Sequence, residues 1–173
     1  MPRHKLPSVD VSWYDTQGRF IFRYDAEENP SFQQLIPYVI LTSQDRSHYY
    51  ISKRITGDHR LKGKLSLGFG GHIGTEDGYT DVIRSAMHRE LEEEVYAELA
   101  GEPEFIGHVR DLKGKTPDHL GFVYTAPVKS VKIREDNVLE GHWMSLEQLV
   151  ESYYQFENWG RFIIDYLYEE AKL

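Results

Sequence analysis

Hydrophobic and polar positions come in short bursts along most of the chain, at "VSWYD", "RFIFRY", "LIPYVILTS", "HYYISKR", "SLGFGGHI", "EFIGHVRDL", "HLGFVYTAPV" and "LEGHWM". Each burst is rich in β-branched and aromatic residues, and turn-formers such as "TQG" and "SQDRS" separate them, so each predicts a short strand. The period becomes helical from about Thr80 to Leu99, again from Ser145, and finally from about Asn158 to Lys172. "SLEQ" offers a serine N-cap with glutamine three residues on. Strands early, one helix mid-chain and two at the end do not alternate as a doubly wound fold would. The order predicts an α+β fold with helices packed outside a curved mixed sheet.

A chain of 173 residues, 40% hydrophobic and 13% aromatic, buries one sizeable core and is expected to form one domain. Residues 1–34 read as an N-terminal extension, a β-hairpin joined to a domain over 35–173. A formal charge of -8 argues against nucleic acid or an anionic membrane as partner, since either needs a clustered basic face. A small-molecule partner fits better. The absence of cysteine removes disulfides, thiolate metal sites and cysteine nucleophiles together, and suits a reducing cytosol. No apolar run approaches bilayer length and "MPRHKLPSVD" has no hydrophobic core, so a cytoplasmic protein without membrane anchor is expected.

The chemistry concentrates in "MHRELEEEVYAELAG", Met87 to Gly101. At about 100° per residue, Glu90, Glu93 and Glu94 share a sector roughly 100° wide while Glu92 points nearly opposite. Ile83, Ala86 and Met87 project into the same sector, so the apolar stripe runs straight into the carboxylates. An isolated acidic triplet is usually a solvated helix surface. Three carboxylates on a packing face instead call for a cation, and glutamate oxygens are hard ligands suited to Mg²⁺ or Mn²⁺. Arg89 stands at the sector's edge to hold one of them. Upstream, "LGFGGHI" ends a strand in glycines that let a backbone or ligand come close.

Together, "GGH" and "REL-E-EE" resemble the signature of the Nudix hydrolases, G-x(5)-E-x(7)-R-E-U-x-E-E-x-G-U. Arg89, Glu90, Leu91, Glu93 and Glu94 match its second half. The first acidic position falls at Asp77 counting from Gly71, or at Glu76 counting from Gly70, and the gap to Arg89 is then eleven or twelve residues where the family has seven. An insertion of four is about one helical turn, so it can lengthen the start of the helix in phase. Tyr96 replaces the glycine by which the family leaves the helix, which predicts a helix running on through "AELA" to Gly101, or a turn by another route. The likeness covers most of the chain from about Leu35 and comes nearest to a branch of predicted phosphoesterases. It implies an α/β/α sandwich.

The resemblance implies divalent-metal-dependent hydrolysis, by water attack at phosphorus, of a pyrophosphate in a nucleoside diphosphate linked to another group. The implied metal ligands are Glu90, Glu93 and Glu94, with Arg89 orienting them and Gly70 and Gly71 shaping the adjacent loop. Candidates for the general base are Glu94, Glu140 in "LEGHW" and His119 in "DHLGF". His119 is otherwise a hydrogen-bonded strand-end histidine. His72, beside Gly71, has the same ordinary reading and a phosphate contact as its functional one. "KRITGDHRLKGK" supplies six basic residues, among them Arg54, Arg60 and Lys64, that either form a solvated loop or hold a polyphosphate. Tyr38, Phe69 and Tyr124 could stack a nucleobase, although strand aromatics are usually core. The partner expected is a nucleotide or pyrophosphate, and the family resemblance implies a homodimer. Isopentenyl-diphosphate isomerase, a relative using a cysteine, is set aside because the chain has none. A non-catalytic nucleotide sensor, a phosphoesterase of non-nucleotide phosphates and an acidic interaction helix are the alternatives. Retention of all three carboxylates favours the enzyme.

Overall fold

The computed structural model describes Leu6 and residues 10–172. Two short helices come first, α1 (Val11–Gln17) and α2 (Arg23–Glu28). They replace the strands expected at "VSWYD" and "RFIFRY" and hence the expected hairpin, whose first residues, 1–5 and 7–9, lie outside the described ones. Local chemistry explains the difference. Asp10 accepts from the Ser12 and Trp13 amides and so starts α1 against the β propensity of its residues. An Arg23 to Glu27 ion pair at 2.8 Å spans one turn of α2.

The sheet is built from β1 (Gln34–Thr42), β2 (His48–Arg54), β3 (Leu65–Ser66), β4 (Phe69–Gly70), β5 (Val95–Leu99), β6 (Glu104–Val109), β7 (His119–Ile133) and β8 (Leu139–Ser145). β1 lies parallel to the first half of β7, from Gln34 opposite His119 to Thr42 opposite Pro127, and antiparallel to β2 and β4. β6 pairs with β7, and β8 pairs with β2 along its whole length. The second half of β7 bends away to pair with β5. The expected curved, mixed α+β sheet is present.

Alternation along the central strands sends side chains to two cores. Val39 and Leu41 join Phe122, Tyr124 and Phe69 on one face, beneath α3 (Val82–Glu94). Tyr38, Ile40 and Val123 join Leu149, Phe156, Ile163 and Ile164 on the other, beneath α4 (Leu146–Glu151) and α5 (Asn158–Ala171). Ser145 and Gln148 form the capping box read from the sequence, and α5 spans the expected range. A buried polar strut ties the second layer to the sheet. Glu157 Oε1 accepts from the Tyr38 hydroxyl and from Ser66 and Leu67, while Tyr38 accepts from the Gly68 amide at 2.8 Å.

α3 departs from expectation at both ends. The extra residues before it do not lengthen the helix; they form a single 3-10 turn (Thr75–Asp77) and a loop with Gly78 at φ 82° and Asp81 at φ 48°. At the other end the helix stops at Glu94 and does not run to Gly101. Val95 is already extended, at φ -138°. From Val95 the pattern has period two: Val95, Ala97 and Leu99 pack into the core while Tyr96 and Glu98 face out. Pairing with β7 outweighs the helical reading of the same letters. No left-handed residue is needed for this exit, so Tyr96 fits, covered by the Arg134 guanidinium 3.8 Å above its ring.

Candidate active site

The acidic helix is anchored at its start by a distant residue. The Ile83 amide donates to Asp15 Oδ1 of α1 at 3.1 Å, a cap that Asp81 does not supply. Ile83, Ala86, Met87 and Leu91 are buried and fix the rotation of the helix. The last turn therefore presents Arg89, Glu90, Glu93 and Glu94 at the sheet edge.

Arg89 organises the cluster. Its Nε and Nη2 donate to the two oxygens of Asp77 at 2.7 and 2.9 Å, its Nη1 reaches Glu90 at 2.9 Å and Glu93 at 3.2 Å, and its Nη2 also holds the carbonyl of His72 at 2.9 Å. Of the two readings of the first acidic position, Asp77 is the buried one, its side chain only 1% exposed, and Glu76 stands at the edge, 3.5 Å from Arg89. Burial opposes ionisation of Asp77, but its bonds to Arg89 and to the Gly74 amide prevail and lower its pKa. The bond to Asp77, with those to Glu90 and Glu93, raises that of Arg89, although burial opposes this.

The glycines serve close approach. A Cβ on Gly70 would collide with the carbonyl oxygen of Pro37, and one on Gly71 would stand 2.5 Å from the Glu90 carboxylate. Glu90 thus seats directly against the loop. Burial raises its pKa despite Arg89. Glu94 is more perturbed, pushed up to about 8 by burial first and then by Glu90, Glu135 and Glu93. Among the described residues no three acidic or imidazole side chains are already gathered as a metal cage, since Glu90 and Glu93 turn toward Arg89. The donor set still fits a hard divalent cation: Glu94 is crowded by three carboxylates, and its pKa reflects no cationic neighbour.

β1 and β7 bring a second group to the same loop. His119 opens β7 opposite Gln34. Its Nδ1 lies 3.2 Å from Asp118 Oδ1, and Gln34 Nε2 donates to Asp118 Oδ2 at 2.8 Å. Its Nε2 lies 3.1 Å from Nε2 of His72, with the rings edge to face at 81°. Burial lowers the pKa of His72, as do Arg23 and His119. Asp118 and Gln34 were not singled out in the sequence. The adjacency of acid and imidazole in "DHL" was the available signal for the first, and only strand register could have found the second.

Other candidates lie elsewhere. Glu140 pairs with His142 at 3.1 Å and lines a cleft of about 360 Å³ with Tyr50, Lys132, Asp136 and Leu139 but no residue of α3. Arg60 is tied to Asp58 within its own loop at 3.1 Å, and Arg54 and Lys64 close that loop by a backbone bond of 3.0 Å. Among the described residues none of the three pairs with an α3 carboxylate. Tyr38, Phe69 and Tyr124 are buried core aromatics, with Tyr124 pushed up to about 12 by burial and then by Asp15. No described helix is long and apolar enough to cross a membrane.

No family model matches the chain. It is 33% identical over 156 residues to Protein YmaB from Bacillus subtilis (strain 168), an alignment covering 84% of this chain and 76% of that protein. Among solved structures, Tm1382, described as a Nudix hydrolase, superimposes with a TM-score of 0.81 at 27% identity over 95% of this chain and 88% of its own. The MutT protein from Methanosarcina mazei Go1 shares the fold, with a TM-score of 0.61 at 18% identity over 82% and 97% of the two chains.

Proposed function

The chain belongs to the Nudix hydrolase family, and from that premise we propose that it hydrolyses the pyrophosphate bond of a nucleoside diphosphate joined to another group. The observation that carries the proposal is the seating of the Glu90 carboxylate against Gly71 while Arg89 gathers Asp77, Glu90 and Glu93 around it. Glu90, Glu93 and Glu94 would hold Mg²⁺ or Mn²⁺, which when bound screens the polyphosphate and acidifies a water molecule.

The chain's own residues do the rest. Arg89 holds Glu90 and Glu93 beside Glu94 in the ligand-free protein, and ion binding would turn their oxygens from the guanidinium toward the metal. Gly70 and Gly71 let the loop pack tightly on Pro37 and Glu90, and Glu94, crowded by Glu90, Glu135 and Glu93, would gain most from a cation. The basic loop is a candidate for the outer phosphates: Ile55 bonds to the Val138 carbonyl at 2.9 Å, in the segment whose Glu135 acts on Glu94, and Arg54, Arg60 and Lys64 would have to reach the substrate from there.

The test is a substrate screen with ADP-ribose, dinucleoside polyphosphates, sugar nucleotides and nucleoside triphosphates, each with Mg²⁺ and Mn²⁺. Wild type is run beside Glu93→Gln and Glu94→Gln. Turnover that depends on the ion and falls ~100-fold or more in both variants is expected. Equal rates in wild type and variants would sink the site assignment, and cleavage of simple phosphomonoesters alone would replace the substrate class. Tight nucleotide binding without turnover would identify a sensor.

A further inference from the structure

His72 faces two ways. Its carbonyl takes Nη2 of Arg89 at 2.9 Å, and the glycine before it lies against the Glu90 carboxylate. Its ring turns instead to the start of β7, where Nε2 stands 3.1 Å from Nε2 of His119. The charged groups acting on that ring are accordingly Arg23 and Glu27 of α2, with His119 and Asp118. Between Gly70, paired with Tyr38 in the sheet, and Gly74, bonded to Asp77, this ring contact ties the glycine loop to β7.

His119 is fixed from behind. Burial opposes ionisation of Asp118, but its bonds to Gln34 and His119 prevail and lower its pKa. An ionised carboxylate can only accept, so the His119 Nδ1 that faces it carries hydrogen. Gln34 Nε2 donates to the other oxygen at 2.8 Å. A continuous row thus runs from β1 through Gln34, Asp118, His119 and His72 to Arg89, which in turn holds Glu90 and Glu93.

The ring contact depends on proton count. Two imidazole nitrogens bond when a single hydrogen lies between them. The pair meets that condition uncharged and again with one positive charge. With two it fails, since both Nε2 atoms then carry hydrogen and like charges meet. Burial first, then Arg23 and His119, lower the pKa of His72 from its ordinary 6.5 against Glu27 and Asp118, which keeps the second charge off near neutral pH.

We infer that His119 is a positioning residue of the proposed metal site: through one shared hydrogen it grips His72, and so keeps the His72 carbonyl on Arg89 and Gly71 against Glu90. The inference rests on the hydrolase reading above. Asp118 and Gln34 serve the same grip by fixing the His119 ring.

Nitrogen-15 NMR of the metal-free protein reads the grip directly. Near neutral pH one Nε2 of the pair is expected to be protonated and the other to accept. As the second imidazole gains its charge in acid, the Arg89 guanidinium signals are expected to shift along the same titration curve. In His72→Gln the amide donates or accepts as His119 requires and does not titrate, so that step should vanish from the Arg89 curve. Calorimetric titration with Mn²⁺ near neutral pH reads the consequence. His72→Leu and His119→Leu are each expected to weaken binding ~10-fold, with His72→Gln recovering it to within ~3-fold of wild type. Should a leucine variant fail to fold, the wild-type Arg89 curve still decides. A wild-type Arg89 curve without the imidazole step overturns the positioning role and leaves the hydrolase reading standing. So do leucine variants that bind Mn²⁺ within ~3-fold of wild type while Glu93→Gln loses the ion. Absence of Mn²⁺ binding by wild type overturns the metal site and the positioning role with it.

Discussion

Asp77 is the residue on which the acidic cluster's geometry depends, and its replacement by asparagine tests that directly. Its carboxylate is buried and accepts two hydrogen bonds from Arg89, at 2.7 and 2.9 Å, and one from the Gly74 amide at 2.8 Å. Asparagine keeps one acceptor oxygen and turns an NH₂ toward either the guanidinium or the amide. A hydrogen bond to a charged group contributes about 1.5–3 kcal/mol, and removing one partner of a buried ion pair costs about 3–5 kcal/mol. Arg89 retains Glu90 and Glu93, so the expected loss is about 2–3 kcal/mol. At this chain length that lowers Tm by about 5–10 °C. The assay is thermal and urea unfolding of the metal-free protein between pH 7 and pH 3. Because folding lowers the Asp77 pKa below its usual 3.8, its contribution is fully present above that value and fades as pH falls through the lower, folded one. The gap between wild type and variant must therefore close in acid. A Tm within about 1 °C of wild type at pH 7, or a gap that stays constant down to pH 3, would refute the reasoning.

Four further outcomes are expected. Glu94 is raised from 4.5 to about 8 on folding, so the metal-free protein should lose stability as pH climbs between those values, and Glu94→Gln should flatten that slope in urea titrations. Gly71→Ala places a methyl group 2.5 Å from the Glu90 carboxylate; calorimetric titration should show Mn²⁺ affinity reduced ~10-fold or more with Tm little changed. Asp15→Ala removes the cap on Ile83 and should cost about 1 kcal/mol in chemical unfolding. Tyr38→Phe strands the Gly68 amide and one bond to Glu157, at a cost of about 1–3 kcal/mol by the same measure.

What could be read in the letters was whatever depends on local period and spacing. Strands over "LIPYVILTS" and "HLGFVYTAPV", the Ser145 capping box and the shared face of Glu90, Glu93 and Glu94 all follow from neighbours a few residues apart. What could not be read depends on contacts distant in sequence. "VYAEL" satisfies both a helical and an alternating pattern, and only pairing with β7 decides between them. Asp15 lies 68 positions from the amide it caps. Gln34 and Asp118 meet because β1 and β7 are in parallel register. Glu76 and Asp77 differ in burial, a property that no spacing rule contains.

The exit of α3 has a consequence for ion choice. Glu94 is followed at once by Val95, already locked to Ile133 in the sheet, so the last pair of carboxylates hangs from a stiff joint instead of a swivel. A joint of this kind cannot slacken to admit a wide coordination sphere. On the proposed reading it would turn ionic radius into selectivity, favouring a small octahedral ion over calcium, which takes six to eight looser oxygens.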